Sequence, residues 1–327
     1  MELKWLEDFV SLAETRSFSK SAQLRHVTQP AFSRRIQALE TWLGAELIDR
    51  SAYPTRLTES GQAFYEQALA MLAQFHEVRV VLREHSAAQA ETIEFAVPHT
   101  LSFTYFPRWL QRVEARLGRI HARLRALNVH DAMLSLVEGG CDLVMGYYHP
   151  GQPVTLDPTR YDTLTLGIES ISPYSAVTSA GRACYTLPGT HDAPVPYLSY
   201  TQHAYLGKMT EAIMAKAPMP VHLDRVYETD MAEGLKAMAM AGHGIAFLPH
   251  SAAEDAVMEK RLVRLDRVAR AGFPAGALTL DMEIRLYRDK LAAQGDDPRR
   301  ALVRDVWDAV CAGVGSAPKK QGYAKKT

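Results

Sequence analysis

A chain of 327 residues in which 37 Lys plus Arg offset 37 Asp plus Glu carries no formal net charge, and its hydrophobic (47%) and charged (23%) fractions are those of an ordinary globular protein. That balance excludes a general polyanion binder and a membrane-surface protein, so any nucleic-acid contact has to be concentrated in one window. The length suffices for two or three units, each burying its own core.

The first fifteen residues already alternate apolar and charged positions at helical spacing, with no long uncharged run behind them. No secretory signal and no membrane span is expected, and the cytoplasm is the expected location. Cys141, Cys184 and Cys311 form no CxxC pair and leave an odd count, which excludes a disulfide framework or a zinc site. Cys141 reads as a buried apolar thiol. No cofactor or metal is expected.

Residues 4–16 predict a bracing helix with Trp5, Phe9 and Leu12 on its inner face. Residues 18–43 then predict a helix-turn-helix. Its first helix starts at Ser19 as N-cap and runs through Ala22 and Leu24 to Arg25. A turn follows at His26, Val27 and Thr28. Thr28 is placed to cap the second helix, with Pro30 in the first turn, where a missing amide hydrogen costs nothing. Phe32, Ile36, Leu39 and Leu43 make one inward stripe and leave Gln29, Ser33 and Arg34 on the opposite face. Gln can pair with adenine, Arg can fork onto guanine, and Ser can reach bases or phosphates. Between Glu14 and Glu40 the chain has Arg16, Lys20, Arg25, Arg34 and Arg35 and no acidic residue, a local footprint for phosphate. Residues 1–60 as a whole balance, eight basic against eight acidic, so binding must rest on that window.

Gly44 is expected to stop the second helix, and residues 46–57 have the strand-turn-strand look of a wing with Pro54 at its tip and Arg50 and Arg56 on its flanks. Residues 58–85 are expected to form one long helix. Phe64, Ala68, Met71, Phe75, Val78 and Leu82 alternate at four and three, the seam of a coiled coil, which predicts a dimerising arm. Two heads would then address two half-sites. SAAQAE, residues 86–91, reads as a hinge.

Beyond residue 91 short strands alternate with helices. Strands are expected at 92–97, 121–127 and 143–148 and helices at 106–117 and 131–138. A second set has strands at 197–200, 222–226 and 245–248 with helices at 205–216 and 231–241. A long alternating strand at 278–287 and a helix at 299–311 close the unit. The pattern implies a largely parallel sheet with helices on both faces, divided into lobe I (91–167 and 268–313) and lobe II (168–267) by crossovers near 168 and 268. Ligands of such sheets sit beyond the carboxyl ends of the strands. The loops there hold His99, Thr100 and Ser102, then Tyr200, Thr201, Gln202 and His203, then Thr229. Tyr147 joins Phe103, Tyr105, Tyr148 and Tyr205 as apolar walls. That lining suits a small organic anion with an apolar tail, although Glu228 and Asp230 would equally receive an amine, and each Thr could be an ordinary helix cap. A second input is oxidation of Met209, Met214, Met219, Met231, Met238 and Met240. An α/β enzyme with a docking module is the alternative of another class. No GxSxG, HExxH, Walker loop or GxGxxG stands at a strand-helix junction, and His99 and His203 lack a carboxylate at motif spacing, so no catalytic residue is assigned. Residues 314–327 read as a disordered basic tail.

The run from Leu6 to Gly61, with FVSLAETRSFSKSAQLRHVTQPAFSRRIQALETWLGAELIDR from Phe9 followed by RLTESG, resembles the winged helix-turn-helix of LysR-type transcriptional regulators. MAMAGHGIAFLP at 238–249 resembles the GxGIAxLP feature of that family's effector domain, where Gly242 and Gly244 permit a tight helix-to-strand turn. The resemblance implies DNA-binding residues 1–60, a linker helix at 61–90 that dimerises, and a two-lobed effector domain at 91–313 shaped like a periplasmic binding protein. It places Gln29, Pro30, Ala31, Ser33 and Arg34 on DNA, and the wing around Arg50 and Arg56 on backbone or minor groove. Ser19 and Arg35 complete the expected DNA-facing set. The implied partners are double-stranded operator DNA, a small-molecule effector, further copies of the chain as homodimer or homotetramer, and RNA polymerase. KWLEDF at 4–9, PHTLS at 98–102, and YLSY with YLGK within 197–208 look most like the hypochlorite-responsive subgroup.

Overall fold

The computed structural model describes residues 2–25, 27–51, 55–83, 92–153, 156–202, 204–266, 274–290 and 298–313 and, within these, the side chains of all but 73 and 76–83. His26, Pro54, the expected hinge at 86–91, His203, the crossover near 268, the tail from 314, and the seam side chains of Val78 and Leu82 lie outside that description.

The head begins with α1 (Leu3–Thr15), which ends on Arg16 in the left-handed region at φ 52°. Phe9 and Leu12 are buried and Trp5 half-buried, as the spacing predicts. Helix α2 (Phe18–Leu24) starts earlier than expected. Its cap is Ser17, whose hydroxyl accepts from the Lys20 amide at 3.3 Å, and Ser19 is exposed within the first turn. The earlier start places Phe18 edge-on to Phe32, centroids 6.2 Å apart, an apolar contact that outweighs a choice between two serines. Helix α3 (Gln29–Leu43) buries Phe32, Ile36 and Leu39 completely and Leu43 partly. Thr28 occupies the cap position with no side-chain cap bond, and Gly44 ends the helix at φ 68°. The wing is the antiparallel pair β1 (Ile48–Asp49) and β2 (Arg56–Leu57).

Helix α4 (Glu59–Arg83) follows, 25 residues or roughly 37 Å at ~1.5 Å per residue. The Thr58 hydroxyl accepts from the Gly61 amide at 2.9 Å and donates to the Glu46 carbonyl at 2.6 Å, tying helix to wing. Ala68, Leu69 and Leu72 are buried in the head, whereas Met71 and Phe75 of the heptad seam are 40% and 48% exposed.

In the second unit β3 (Thr92–Pro98), α5 (His99–Thr104), α6 (Phe106–Leu117), β4 (His121–Leu127), α7 (Val129–Val137) and β5 (Leu143–Tyr148) come first. A 16-residue strand β6 (Tyr161–Ala176) leads to β7 (Val195–Tyr200), α8 (Tyr205–Ala215), β8 (Leu223–Thr229), α9 (Ala232–Met240), β9 (Ile245–Pro249), α10 (His250–Met258) and β10 (Leu262–Arg264). Strand β11 (Leu280–Asp289) and α11 (Pro298–Cys311) finish it. Among the described residues one sheet runs β4-β3-β5-β11-β6-β9-β7-β8, with β10 beside β6.

The expectation of a largely parallel sheet needs correction. β3 pairs parallel with β4 and β5, and β7 with β8 and β9, but β11 and β6 are antiparallel to their neighbours and to each other. These two strands run through the middle of the sheet, so the parallel β-α-β halves lie on either side of a reversed central pair. The crossing strand β6 contains residue 168, where the sequence places the first crossover. A single apolar cluster, including Phe95, Trp109, Ile171, Leu198, Phe247 and Trp307, is continuous across both halves. No helix among the described residues is long and apolar enough to cross a membrane.

Candidate DNA interface and effector crevice

On α3, Gln29, Pro30 and Arg34 are exposed and Ala31 and Ser33 half-buried. Gln29 with Ser33 and Pro30 with Arg34 stand one helical turn apart, so these side chains share one outward face. The rest of the basic window is less free than its sequence implies. Asp8 of α1 is fully buried and accepts from Arg25 Nε at 3.0 Å and from Arg35 Nη1 at 3.1 Å. Arg25 also pairs with Glu7 and, at 3.2 Å, with Glu138. Arg25 therefore leaves the phosphate footprint, and Arg35, 32% exposed, is held back toward α1. The window looked uniformly basic because its counter-ions lie upstream in α1, outside it.

On the wing, Arg50 pairs with Glu40 at 2.8 Å and lies over the Phe18 ring, while Arg56 is exposed. Glu40 also accepts from the amides of Leu47 and Ile48, so one carboxylate orders the junction of α3 and wing.

The carboxyl ends of β3, β5, β7 and β9 converge in the second unit. Two of them carry the same turn: Pro98-His99-Thr100 leads β3 into α5 and Pro249-His250-Ser251 leads β9 into α10, both prolines at φ −55° and ψ 141°. The two helices meet where Ser251 Oγ bonds Thr104 Oγ1 at 3.1 Å. Glu169 of β6 lies buried beneath them, accepting from the Ser251 amide at 3.3 Å, from the Ser170 amide at 3.0 Å and from the Ser251 hydroxyl. Burial holds its carboxyl above the ordinary range against those bonds. Glu169 was not read from the sequence; the repeated PHT and PHS after two strands was the available signal.

Tyr147 at the end of β5 and Tyr200 at the end of β7 are buried, and neither hydroxyl has a hydrogen-bond partner among the described residues. Burial pushes both phenols well upward, and Glu169 and Glu233 act on both, so they share one interior. Tyr147 stacks on Tyr205 of α8 with centroids 6.2 Å apart and planes 13° from parallel. The other expected effector residues vary. Thr100 is buried, His99 and Thr201 are half-buried, and Gln202 is exposed. Ser102 donates to the His99 carbonyl at 2.6 Å, and Thr229 accepts from the Met231 amide at 3.4 Å, so both serve their own helix starts. Phe103 is 65% exposed. Helices α8 and α9 begin without a side-chain cap bond. Of the methionines, Met209 is buried, Met214, Met219, Met238 and Met240 pack partly buried on the core, and Met231 is 40% exposed. Cys141 is buried, its thiol pushed up to about 12 by desolvation.

A winged helix-turn-helix joined by a long helix to a two-halved α/β unit defines a DNA-binding transcription regulator with an effector-binding domain. Residues 3–62 match the bacterial regulatory helix-turn-helix protein model of the lysR family, and residues 86–310 match the LysR substrate binding domain. The chain belongs to the LysR family. Escherichia coli K12 has a relative, the HTH-type transcriptional regulator YjiE, that is 31% identical over 267 residues, 82% of this chain and 84% of that one. BenM of Acinetobacter baylyi is 26% identical over 77% of this chain and 81% of its own length. Among solved structures, Vibrio fischeri DarR in complex with DNA is 29% identical, covering 95% of this chain and 98% of that one, with a TM-score of 0.57. Full-length HypT of Salmonella typhimurium, a hypochlorite-specific LysR-type regulator, is 28% identical over 95% and 99%, with a TM-score of 0.55.

Proposed function

We propose that this cytoplasmic regulator reads operator DNA with Gln29, Pro30, Ala31, Ser33 and Arg34. Ser19, Arg35, Arg50 and Arg56 position the head on phosphate. Heads pair through α4, whose Met71 and Phe75 await a second copy, and assemble as dimers or tetramers that engage RNA polymerase at the promoter. The second unit acts by binding rather than by catalysis.

The observation that carries the effector reading is the pair of buried, unpartnered hydroxyls of Tyr147 and Tyr200, one from each half of the sheet. A buried hydroxyl without a partner costs ~1–3 kcal/mol, which a ligand accepting hydrogen bonds would recover. Together with the uncapped starts of α8 and α9 and the stacked Tyr147–Tyr205 pair, this favours a small organic carboxylate with a flat apolar tail. His99, Thr100, Ser102, Thr201, Gln202 and Thr229 form the mouth of that crevice. Carboxylates that bind should bind Tyr147→Phe more weakly than wild type in titration calorimetry. Equal affinity for both, or no binding by any carboxylate tested, contradicts the assignment.

A second reading rests on a different observation. HypT is a hypochlorite-specific regulator, and Met231 of this chain, at the start of α9, is the most exposed of the six methionines Met209, Met214, Met219, Met231, Met238 and Met240. Oxidation there would make a polar sulfoxide beside the β8–α9 turn and bias the packing of lobe II. Mass spectrometry after mild hypochlorite should find Met231 oxidised before the buried Met209.

A further inference from the structure

Helix α7 is apolar apart from His130, Asp131 and Ser135. Residues 132–137 are all buried, more than the 3.6 positions of one helical turn, so no face of that stretch is left to water. The sheet accounts for one side, since α7 packs on β3, β4 and β5. The DNA-reading head joins the same buried core. Ala132, Met133, Leu136 and Val137 belong to the same continuous buried cluster as Leu6, Phe9, Leu39 and Leu72 of the head.

Polar contacts line the seam. Arg25 at the end of α2 reaches Glu138 at the end of α7 at 3.2 Å, with only 16% and 17% of the side chains exposed. Glu14 of α1 is enclosed beside Tyr65 of α4, 3.4 Å away, with Arg160 and Glu138 of the second unit acting on it. At the start of α7, His130 Nε2 is buried without a hydrogen-bond partner among the described residues, and burial holds the ring's pKa down against Asp131 beside it. Helix α2 therefore meets α7 at its C-terminal end, Arg25 toward Glu138.

We propose that the C-terminal end of α7 is a docking seat for the chain's own DNA-reading head, clasped by the Arg25–Glu138 ion pair. The recognition face of α3 remains exposed in the docked state, so the seat does not block DNA; it sets the direction in which the head points. The inference does not depend on which ligand fills the crevice.

The test is a distance measured in the full-length chain. Spin labels go on cysteines introduced as Gln23→Cys on α2 and Arg116→Cys on α6, both exposed, with Cys184 and Cys311 replaced by serine. Doubly labelled chain is mixed with unlabelled chain in excess, so only distances within one chain are read. The seat predicts one narrow distance, which added salt broadens in the parent chain, Glu138→Lys abolishes and Glu138→Gln weakens independently of salt, while circular dichroism of the Gln variant stays that of the parent. A broad distribution in the parent chain overturns the proposal. So does a narrow peak that neither Glu138 variant alters, or one that vanishes on dilution because a neighbour's head supplied it.

Discussion

Gly61, the third residue of α4, gives a prediction in which two physical effects oppose each other. Alanine is the better helix former, so propensity alone makes Gly61→Ala stabilising by ~1 kcal/mol. Against that, a Cβ at Gly61 would lie 2.0 Å from the Leu47 carbonyl oxygen and 2.9 Å from its carbon. Both are backbone atoms, so no side chain can swing away. To reach ordinary contact the wing must retreat by more than an ångström, and Leu47 O is also the acceptor for the Thr58 amide at 3.0 Å. Overpacking costs ~1–3 kcal/mol and the lost hydrogen bond about 1 kcal/mol more. The balance is a net loss of about 1–3 kcal/mol, concentrated in the head. Hydrogen exchange at the amides of Leu47, Ile48 and Thr58 reads it directly: protection should fall at these three while β7 and β9 are unchanged. Protection equal to or above that of the parent chain would refute the steric argument.

Other outcomes follow from the same geometry. Arg34→Ala should cost about 1–3 kcal/mol at the preferred operator, measured by titration at fixed salt; equal loss on random DNA would mean that Arg34 touches only phosphate. Burial pushes Glu14 up to about 8 and Glu138 up to about 7, both well above the ordinary 4.5. The folded chain then holds protons that the unfolded chain releases, so this contribution is full below pH ~4.5 and is lost as pH rises through about 7 to 8. Urea melts at pH 5.5 and 8.5 should show it, and Glu14→Gln should flatten the difference; a slope that Glu14→Gln leaves intact assigns it elsewhere. Tyr200→Phe removes an unpartnered buried hydroxyl and should leave stability unchanged or slightly raised; a loss above about 1 kcal/mol would mean the hydroxyl has a partner.

Much of this was legible in the sequence because periodicity reports burial. The four-three spacing of Phe32, Ile36, Leu39 and Leu43 located α3, and the strands β4 and β5 fall on the expected residues. What escaped was decided by contacts between distant segments. Ser17 rather than Ser19 caps α2 because Phe18 packs on Phe32. Arg25 and Arg35 turn inward because Asp8 lies seventeen and 27 positions away from them, beyond any local pattern. Strand β6 was missed since its alternation is interrupted by Gly167 and Pro173, and with it went the reversed central pair and buried Glu169. In the crevice, residue type identified Tyr147 and Tyr200, but only the fold reveals that their hydroxyls lack partners while Ser102 and Thr229 are occupied by their own helices.

The central claim is that an input in the second unit alters how the heads hold DNA. It is tested most directly by footprinting the full-length protein on its own upstream DNA at fixed salt, with a panel of small carboxylates and amines and after mild hypochlorite treatment. The account predicts that a carboxylate shortens or shifts the protected region, and that substitutions at Thr100, Tyr147 or Tyr200 abolish the shift without removing protection itself. If only the oxidant moves the footprint and Met231→Ile removes that response, the crevice is structural and the switch is redox. A footprint that none of these inputs alters contradicts the account.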